Sequence, residues 1–218
     1  MGFSANWLAL REPVDHVSRD AGLLARAVTY AGPGNVVVDL GSGAGSTARA
    51  FGDADCTFDD SHAKLMELSQ ARHPGAAQMV FDLRDIDRLP LEGVGLVTAS
   101  ALLDLMPLEW VTVLAQRLQT AGIPFYGALN YNGVMRWVPR HKADADVTDA
   151  FNAHQRTDKG IGPALGPTAG AVAAGDAAAE AGCTQAHAWT ADRRATVDEA
   201  VGYIGHSDIF AVPREKGE

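Results

Sequence analysis

Apolar runs alternate with helical patterns through the middle of the chain. Short runs with the composition of buried strands cover residues 36–38, 56–58, 79–81, 96–99 and 123–129. Helical patterns lie between them, after Gly45 and over 62–72 and 107–120. Strands that alternate with helices predict β-α-β units and a parallel sheet covered on both faces. The predicted fold class is therefore α/β, with a doubly wound sheet.

The segment before this region predicts a helix. Apolar residues recur at helical spacing over 15–30, and a Gly-Pro-Gly sequence at 32–34 ends the pattern. Residues 1–34 are therefore interpreted as an N-terminal helical segment, with Pro13 in the first turn of the helix and Asp15 near the positive end of its dipole.

The region after Asn130 departs from the alternation. Residues 131–168 are polar and contain several glycines and prolines, and their one predicted helix covers 145–156. We interpret this region as a lid inserted after the fifth strand. The remainder predicts a helix, a strand and a closing antiparallel strand, over 169–181, 183–189 and 209–212. The sequence thus predicts one domain, residues 1–218, with a seven-stranded and mostly parallel sheet.

Composition limits the possible functions. The chain has 218 residues, of which 47% are apolar and 21% charged, as expected of one globular domain with a sizeable core. Acidic residues outnumber Lys and Arg by 27 to 18, and the net charge of −9 argues against a nucleic-acid partner. Neither Cys56 nor Cys183 lies in a metal-binding motif, so no metal is predicted. Without a signal peptide or an apolar run of about 18 residues, we expect a cytoplasmic protein with no membrane partner, as a monomer or homodimer.

A glycine-rich turn follows the first predicted strand and precedes a helix that Ser46 can cap. Its residues of interest are Asp39, Gly41, Ser42, Gly43 and Gly45. Glycines allow a tight turn and leave no side chain between the loop and a nucleotide-like ligand. The dinucleotide fingerprint fits imperfectly because Ser46 stands where it has its third glycine, and the lysine of a phosphate-binding P-loop is absent.

Acidic residues also follow the next two strands. Asp59 and Asp60 come after the second strand, where a carboxylate can accept hydrogen bonds from ribose hydroxyls. Asp82 follows the third strand, where it can accept a hydrogen bond from the exocyclic amine of adenine. An Asp after a strand is, taken alone, more often a helix cap or turn former. Together with Asp39 they form a series along one carboxyl edge, which predicts an adenosine-type ligand.

These motifs resemble those of the class I S-adenosylmethionine-dependent methyltransferases. The resemblance rests on residues 36–45, 58–61 and 80–83 and covers roughly residues 10–130, while 151–160 and 163–167 are similar to a poorly characterised bacterial branch of the family. It implies S-adenosylmethionine as the cofactor. Asp39 and the glycine loop would hold the methionine portion, Asp59 the ribose and Asp82 the adenine, with the Leu83 N–H also on the ring. The cofactor residues assigned in this way are Asp39, Gly41, Ser42, Gly43, Asp59, Asp60, Asp82, Leu83 and Ser100.

One departure from the family bears on the substrate. The fourth strand leads into residues 98–104, which lack the Asn-Pro-Pro-Tyr type of motif found in nucleobase amino methylases. Together with the acidic charge, this favours a small molecule as the methyl acceptor. In a doubly wound sheet the acceptor is expected beyond the fourth and fifth strands, beneath any lid.

Polar residues near that position are the candidates for acceptor binding and catalysis. Asp104 and His154 are the predicted catalytic residues, because histidine is the side chain whose unperturbed pKa suits a base near neutral pH. The predicted acceptor-binding residues are Arg11, Asn130, Tyr131, Arg156, Asp158 and Lys159. A solvated helix end explains the cluster at 154–159 without any function, and a plain helix start explains Arg11.

Three functions remain open on the sequence alone. The first is transfer of a methyl group from S-adenosylmethionine to a small polar molecule. The second is a non-catalytic S-adenosylmethionine-binding or interaction module, in which the inserted region docks a partner. The third, an NAD-dependent oxidoreductase, shares the fold but is disfavoured by Ser46 and Asp82.

Overall fold

The computed structural model defines most of the chain at residue level. It describes residues 4–31, 35–52, 56–59, 63–167, 169–188, 193–197 and 200–214. The helices are α1 (Ala5–Ser18), α2 (Ala21–Tyr30), α3 (Ser46–Phe51), α4 (Ala63–Arg72), α5 (Leu108–Ala121), α6 (Asp144–Gln155) and α7 (Ala169–Glu180), with short 3₁₀ segments at Leu83–Arg88 and Leu103–Leu105. The strands are β1 (Val36–Leu40), β2 (Cys56–Asp59), β3 (Ala77–Met79), β4 (Val94–Ser100), β5 (Phe125–Val138), β6 (Cys183–Ala188), β7 (Arg193–Val197) and β8 (Ala200–Pro213).

The strands form one sheet in the order β3-β2-β1-β4-β5-β8-β6, with β7 paired to β8 beside this path. Strands β1 to β5 pair in parallel, whereas β8 is antiparallel to β5, β6 and β7. The predicted α/β class is confirmed, and the described part of the sheet has eight strands where the sequence predicted seven. The additional strand, β7, is short and carries two arginines, so its sequence has no apolar run.

Strand β5 is longer than predicted. Residues 131–138 continue it as a ladder with β8, in which Met135 pairs with Ile204 and Val138 with Val201. The interpretation of residues 131–138 as the start of an inserted region is therefore wrong. Exposed and half-buried residues alternate along most of these eight positions, as in a strand with one covered face. The predicted helix inside the inserted region is confirmed as α6, and the function of the region as a lid stays a prediction.

The N-terminal segment holds two helices where one was predicted. Helix α1 begins after its cap Ser4, and α2 begins after Asp20, whose carboxylate accepts the Leu23 N–H at 2.7 Å. Pro13 lies inside α1 and not in a first turn. Between the helices the backbone of Arg19 is extended, which ends the helical hydrogen bonding at that residue.

The two larger apolar clusters of the described residues cover the sheet. One contains Trp110, Leu114 and Leu118 of α5, and the other contains Leu23 and Ala27 of α2. Burial on both faces is what the continuous apolar composition of β1 and β4 requires. No helix in the described ranges is long and apolar enough to cross a membrane.

Candidate ligand-binding site

The glycine loop at the end of β1 needs glycine at three positions. Gly41, Gly43 and Gly45 have φ angles of +63°, +55° and +77°, a region that other residues rarely adopt. The loop is also closely covered, since a Cβ added to Gly43 would lie 3.3 Å from the side chain of Leu8 in α1. The first helix therefore lies directly over the loop.

Asp39 lies at the end of β1 and is 1% exposed. The register of β1 and β4 places it opposite Thr98, whose hydroxyl donates a hydrogen bond of 2.7 Å to Asp39 Oδ1. Ser42, two residues into the loop, is buried, and its hydroxyl has no hydrogen-bond partner among the described residues. A buried carboxylate and a buried hydroxyl thus border the glycine loop.

Of the two acids predicted after β2, only the backbone of Asp59 is described. Asp59 is the last residue of β2 and pairs with Leu40, and its side chain is not among those described. Asp60 lies outside the described residues.

Asp82 differs from its expected position. Strand β3 ends at Met79, so Asp82 lies beyond it and begins the first 3₁₀ segment. Its carboxylate is exposed and accepts hydrogen bonds from the backbone and guanidinium of Arg84. The side-chain hydrogen bond from Arg84 lowers the pKa of Asp82 to about 2. The next residue, Leu83, is fixed through its carbonyl, which accepts the Trp110 indole N–H at 2.6 Å.

A buried arginine that the sequence analysis did not identify enters the site. Arg19, between α1 and α2, is 6% exposed. Its Nη2 donates to the Ser100 hydroxyl at 3.1 Å and to the Thr47 hydroxyl at 3.4 Å. Ser100 is the last residue of β4 and Thr47 lies in the first turn of α3, so the guanidinium spans the two segments that flank the glycine loop.

The backbone on both sides of Arg19 is held by β8. The fully buried Asp208 accepts the Asp20 N–H at 2.8 Å and the Leu129 N–H at 2.7 Å. The fully buried His206 contacts the Ser18 carbonyl through its Nε2. These polar residues lie before the apolar run that predicted the strand, which explains why they were not recognised.

Two residues with unfavourable backbone angles mark the same edge of the sheet. Ala101, just after β4, has φ of +54°, and Leu129 in β5 has φ of +57°. Such conformations cost on the order of 1–3 kcal/mol and concentrate at functional sites. Each is fixed by a hydrogen bond of its N–H, that of Ala101 to the Ala128 carbonyl at 2.8 Å.

The predicted acceptor residues of β4 and β5 do come together. Asp104 is buried in the second 3₁₀ segment. Burial raises the pKa of the Tyr131 phenol, and the charge of the nearby Asp104 adds to the effect. Asn130 is fully buried, but both ends of its amide are used: Oδ1 accepts the Leu103 N–H at 3.3 Å and Nδ2 donates to the Ser207 carbonyl at 3.2 Å. The structure thus gives Asn130 a function in joining β5 to its neighbours.

Tyr131 connects this edge of the sheet to α6. Its hydroxyl donates a hydrogen bond of 2.8 Å to Asn152, and its ring packs edge-on against Phe151 with centroids 5.4 Å apart. The loop after α6 also contacts this edge, since the Gly166 N–H donates to the Asp104 carbonyl at 2.9 Å. The acceptor residues predicted in β4 and β5 are therefore covered by α6 and its following loop.

The polar cluster after α6 forms a local turn. Lys159 Nζ donates to the His154 carbonyl at 2.8 Å, and Arg156 Nη1 donates to the Asn152 carbonyl at 3.1 Å. Asp158 Oδ1 accepts the N–H groups of residues 160 and 162, which lowers the pKa of its carboxyl group. The His154 side chain is exposed, and no described hydrogen bond links its ring to the acceptor residues. These contacts explain the cluster by helix termination.

Arg11 is engaged within α1. Its Nε lies 2.6 Å from Oδ2 of the buried Asp15. The neighbouring Glu12 is ion-paired with Arg49 of α3, and Arg49 Nη1 also donates to the Ala44 carbonyl at 2.8 Å. These pairs fix α1 to the loop beneath it. In the described part of the chain, no group of three or more His, Cys, Asp or Glu residues could hold a metal ion.

The cavity found in the core is not a ligand site. It has a volume of about 20 Å³ and lies among apolar side chains of α5, α7 and the sheet, including Leu114 and Phe125. This space is comparable to that of one water molecule, and its lining offers no polar cluster to orient a ligand.

Tyr126 and Tyr131 are expected to ionise only at strongly alkaline pH. Burial raises the pKa of the Tyr126 phenol, and the charge of Asp208 raises it further. Burial also raises the pKa of Tyr131, to about 12, with a smaller contribution from the charge of Asp104. Because these values exceed the unfolded pKa of about 10, the stability gained from the neutral phenols is complete below it and declines as pH rises above it. The pKa values can be measured by following the ultraviolet absorbance of phenolate as the pH is raised. Tyr131→Phe should remove one of the groups that ionise late in this titration. Ionisation of both near pH 10 would contradict the described burial.

The chain is similar in structure to several known proteins. No protein-family model and no curated protein matches it. CalS10, an amino pentose methyltransferase from Micromonospora echinaspora solved with S-adenosylmethionine bound, matches with 13% identity over 98% of both chains and a TM-score of 0.58. A geranyl diphosphate methyltransferase in complex with S-adenosylmethionine matches with 12% identity over 89% of this chain and 85% of that one, with a TM-score of 0.54.

Human N-acetylserotonin methyltransferase, also in complex with S-adenosylmethionine, matches 96% of this chain at 13% identity with a TM-score of 0.53. This chain spans about half of that protein, since the match covers 53% of it. Similarities at this level of identity establish a common fold. The chain therefore has the α/β fold of the class I S-adenosylmethionine-dependent methyltransferases, as its sequence motifs implied.

Proposed function

We propose that the protein binds S-adenosylmethionine and transfers its methyl group to a small polar molecule. The observation that carries this proposal is the glycine loop at the end of β1, bordered by the buried Asp39 and Ser42, in a chain with a methyltransferase fold. The similarity to methyltransferases solved with S-adenosylmethionine supports the choice of ligand. The acidic surface and the polar residues at the ends of β4 and β5 support a small acceptor.

The described residues fit this ligand. Asp39 is a buried carboxylate that can accept hydrogen bonds from the ligand ammonium group, and the Ser42 hydroxyl is buried without a described partner. The three positive-φ glycines keep the loop free of side chains, and Asp59 ends the neighbouring strand, where it can accept from the ribose. The exposed Asp82 with its Leu83 neighbour stays the candidate for the adenine.

The protein's part in the reaction is binding, orientation and exclusion of water. When bound, S-adenosylmethionine supplies a methyl group already activated by its sulfonium. Helix α1 covers the loop through Leu8, and α6 covers Tyr131, so both reactants would be shielded from solvent. We propose Asp104 as the residue that orients the acceptor and takes its proton, because it is buried beside Tyr131 whereas His154 is exposed.

Asp59→Ala is expected to weaken S-adenosylhomocysteine binding by at least about tenfold. The substitution removes two charge-assisted hydrogen bonds to the ribose, each worth about 1.5–3 kcal/mol in a buried site. Calorimetric titration measures the affinity, and Asp149→Ala on the exposed side of α6 is the matched control that should bind normally. Equal affinities for both variants would contradict the ribose assignment.

Product formation separates the two alternatives from the proposal. A methyltransferase transfers label from methyl-labelled S-adenosylmethionine to a small molecule in a metabolite extract, and Asp104→Asn should lower that transfer while leaving cofactor binding intact. Binding without transfer to any pool would favour the interaction module. Tighter binding of NAD than of S-adenosylhomocysteine would favour the oxidoreductase.

A further inference from the structure

We infer that the methyl acceptor is an amine, bound by two groups that offer it only lone pairs, the Asp104 carboxylate and the Tyr131 hydroxyl oxygen. The inference rests on the proposed function, because it names the chemical class of the small polar molecule. Asp104 follows β4 and Tyr131 lies in β5, the strand paired with β4. The two residues are 5% and 8% exposed, so a substrate that reaches them leaves water behind.

The Tyr131 hydroxyl has its proton committed within the protein. Asn152 Nδ2 donates to the Gly133 carbonyl at 3.1 Å, and because a carbonyl can only accept, the amide turns its Oδ1 towards Tyr131. That oxygen also only accepts, so the hydroxyl must donate to it, at 2.8 Å. The Tyr131 oxygen therefore presents lone pairs to any further partner.

The neighbouring groups keep this balance. Burial raises the pKa of Tyr131 to about 12, with the charge of Asp104 adding to the effect, so the phenol stays neutral and leaves proton removal to Asp104. The Asn130 amide is used by the Leu103 N–H and the Ser207 carbonyl. Both groups that we assign to the substrate thus accept hydrogen bonds, and one of them carries a negative charge.

A substrate suited to these groups brings hydrogen-bond donors and no negative charge. An amine with two N–H bonds can donate one to Asp104 and one to Tyr131. A hydroxyl has a single donor and leaves one of the two buried acceptors unmatched, which is costly. A thiolate or carboxylate would place a second negative charge beside Asp104. The pair therefore selects an amine over the other common methyl acceptors.

The transfer step balances with Asp104 as the proton acceptor. The amine enters as an ammonium ion beside Asp104, and exclusion of water favours passing one N–H proton to the carboxylate over keeping two buried charges. The freed lone pair forms the nitrogen–carbon bond as the carbon–sulfur bond breaks, and the electron pair of that bond stays on sulfur. The methylated nitrogen then carries the positive charge, and the proton on Asp104 passes to solvent.

The test blocks amines in the acceptor pool. The wild-type protein should transfer label from methyl-labelled S-adenosylmethionine to a metabolite extract, and treating the extract with N-hydroxysuccinimidyl acetate, which converts amines to amides, should lower this transfer at least about tenfold. Later hydroxylamine, which cleaves esters and thioesters but not amides, should not restore it. Extract given the same reagent after its hydrolysis is the matched control and should keep full transfer.

Tyr131→Phe tests the assigned hydroxyl. The variant keeps the ring beside Phe151 and removes only the oxygen. The KM for the cationic fraction of the extract should rise about tenfold, the equivalent of one hydrogen bond to a charged group. The kcat and the S-adenosylhomocysteine affinity should stay within about twofold of wild type. Tyr30→Phe, whose ring packs against Phe210, is the control and should change none of the three.

Other outcomes overturn the inference. Transfer that survives amine blocking, or that hydroxylamine restores, would assign the acceptor to a hydroxyl, thiol or carboxylate and refute this inference alone. An unchanged KM in Tyr131→Phe would refute the assignment of its hydroxyl, and a parallel loss of S-adenosylhomocysteine affinity would reduce that hydroxyl to a structural contact. Absence of transfer to untreated extract, by protein that binds S-adenosylhomocysteine, would refute the proposed methyl transfer as well.

Discussion

Asp208→Leu is expected to lower the free energy of unfolding by about 3–5 kcal/mol. The Asp208 carboxylate is fully buried and accepts the Asp20 N–H at 2.8 Å, the Leu129 N–H at 2.7 Å and the Tyr126 hydroxyl at 3.4 Å. Leucine keeps the branched outline of aspartate but is larger, so the loss combines donors left without an acceptor with the strain of overpacking. Urea unfolding followed by circular dichroism measures the change.

The matched control for this prediction is Asp176→Leu. Asp176 is exposed on α7, and replacing it should change the free energy of unfolding by no more than about 0.5 kcal/mol. A loss below about 1 kcal/mol for Asp208→Leu would mean that the contacts between β8, β5 and the start of α2 contribute little. In that case the anchoring of Arg19 would also need another explanation.

Gly43→Val is expected to abolish cofactor binding, with a loss of affinity of more than about 100-fold. The φ of Gly43 is +55°, which a β-branched residue adopts only with strain, and a new Cβ would lie 3.3 Å from Leu8. The added methyl groups would occupy the narrow space between the loop and α1, where the ligand must approach the backbone of the loop. Calorimetric titration with S-adenosylhomocysteine measures the loss.

Gly122 separates the effect on binding from the effect on the backbone. It ends α5 with a φ of +72° and has no heavy atom within 4 Å of an added Cβ. Gly43→Ala and Gly122→Ala should therefore carry a similar backbone cost of about 1–2 kcal/mol, but only the first should weaken binding. If both Gly43→Ala and Gly43→Val kept the wild-type affinity for S-adenosylhomocysteine, the assignment of the glycine loop to the cofactor site would be contradicted.

The parallel half of the sheet could be predicted because its strands are buried on both faces. Val36 to Val38 and Leu96 to Ala99 are continuous apolar runs, and such runs identify β1 and β4 directly. The tight turn after β1 could also be predicted, because a cluster of glycines directly after a buried strand indicates backbone angles that other residues rarely adopt. The positions of the acids were harder to predict. The apolar run at 79–81 suggests a strand that ends next to Asp82, whereas β3 ends at Met79.

The antiparallel half could be predicted only in part from local patterns, since the apolar runs indicate β6 and the end of β8 but not β7 or the rest of β8. The middle of β8 includes His206 and Asp208, polar residues whose hydrogen-bond partners come from distant segments, namely the end of α1, the start of α2 and β5. Arg19 was missed because its partner Ser100 lies 81 positions away in the chain. Interactions of this kind depend on tertiary structure, whereas periodicity reports only the burial of neighbouring residues.

The measurement that tests the central claim most directly is a calorimetric titration of the wild-type protein with S-adenosylmethionine and S-adenosylhomocysteine, with NAD as the comparison ligand. We expect saturable binding of both adenosyl ligands at one site per chain and much weaker or no binding of NAD. Absence of heat for both adenosyl ligands at millimolar concentration, or tighter binding of NAD, would contradict the assignment of the glycine loop, Asp39 and Asp59 to an S-adenosylmethionine site.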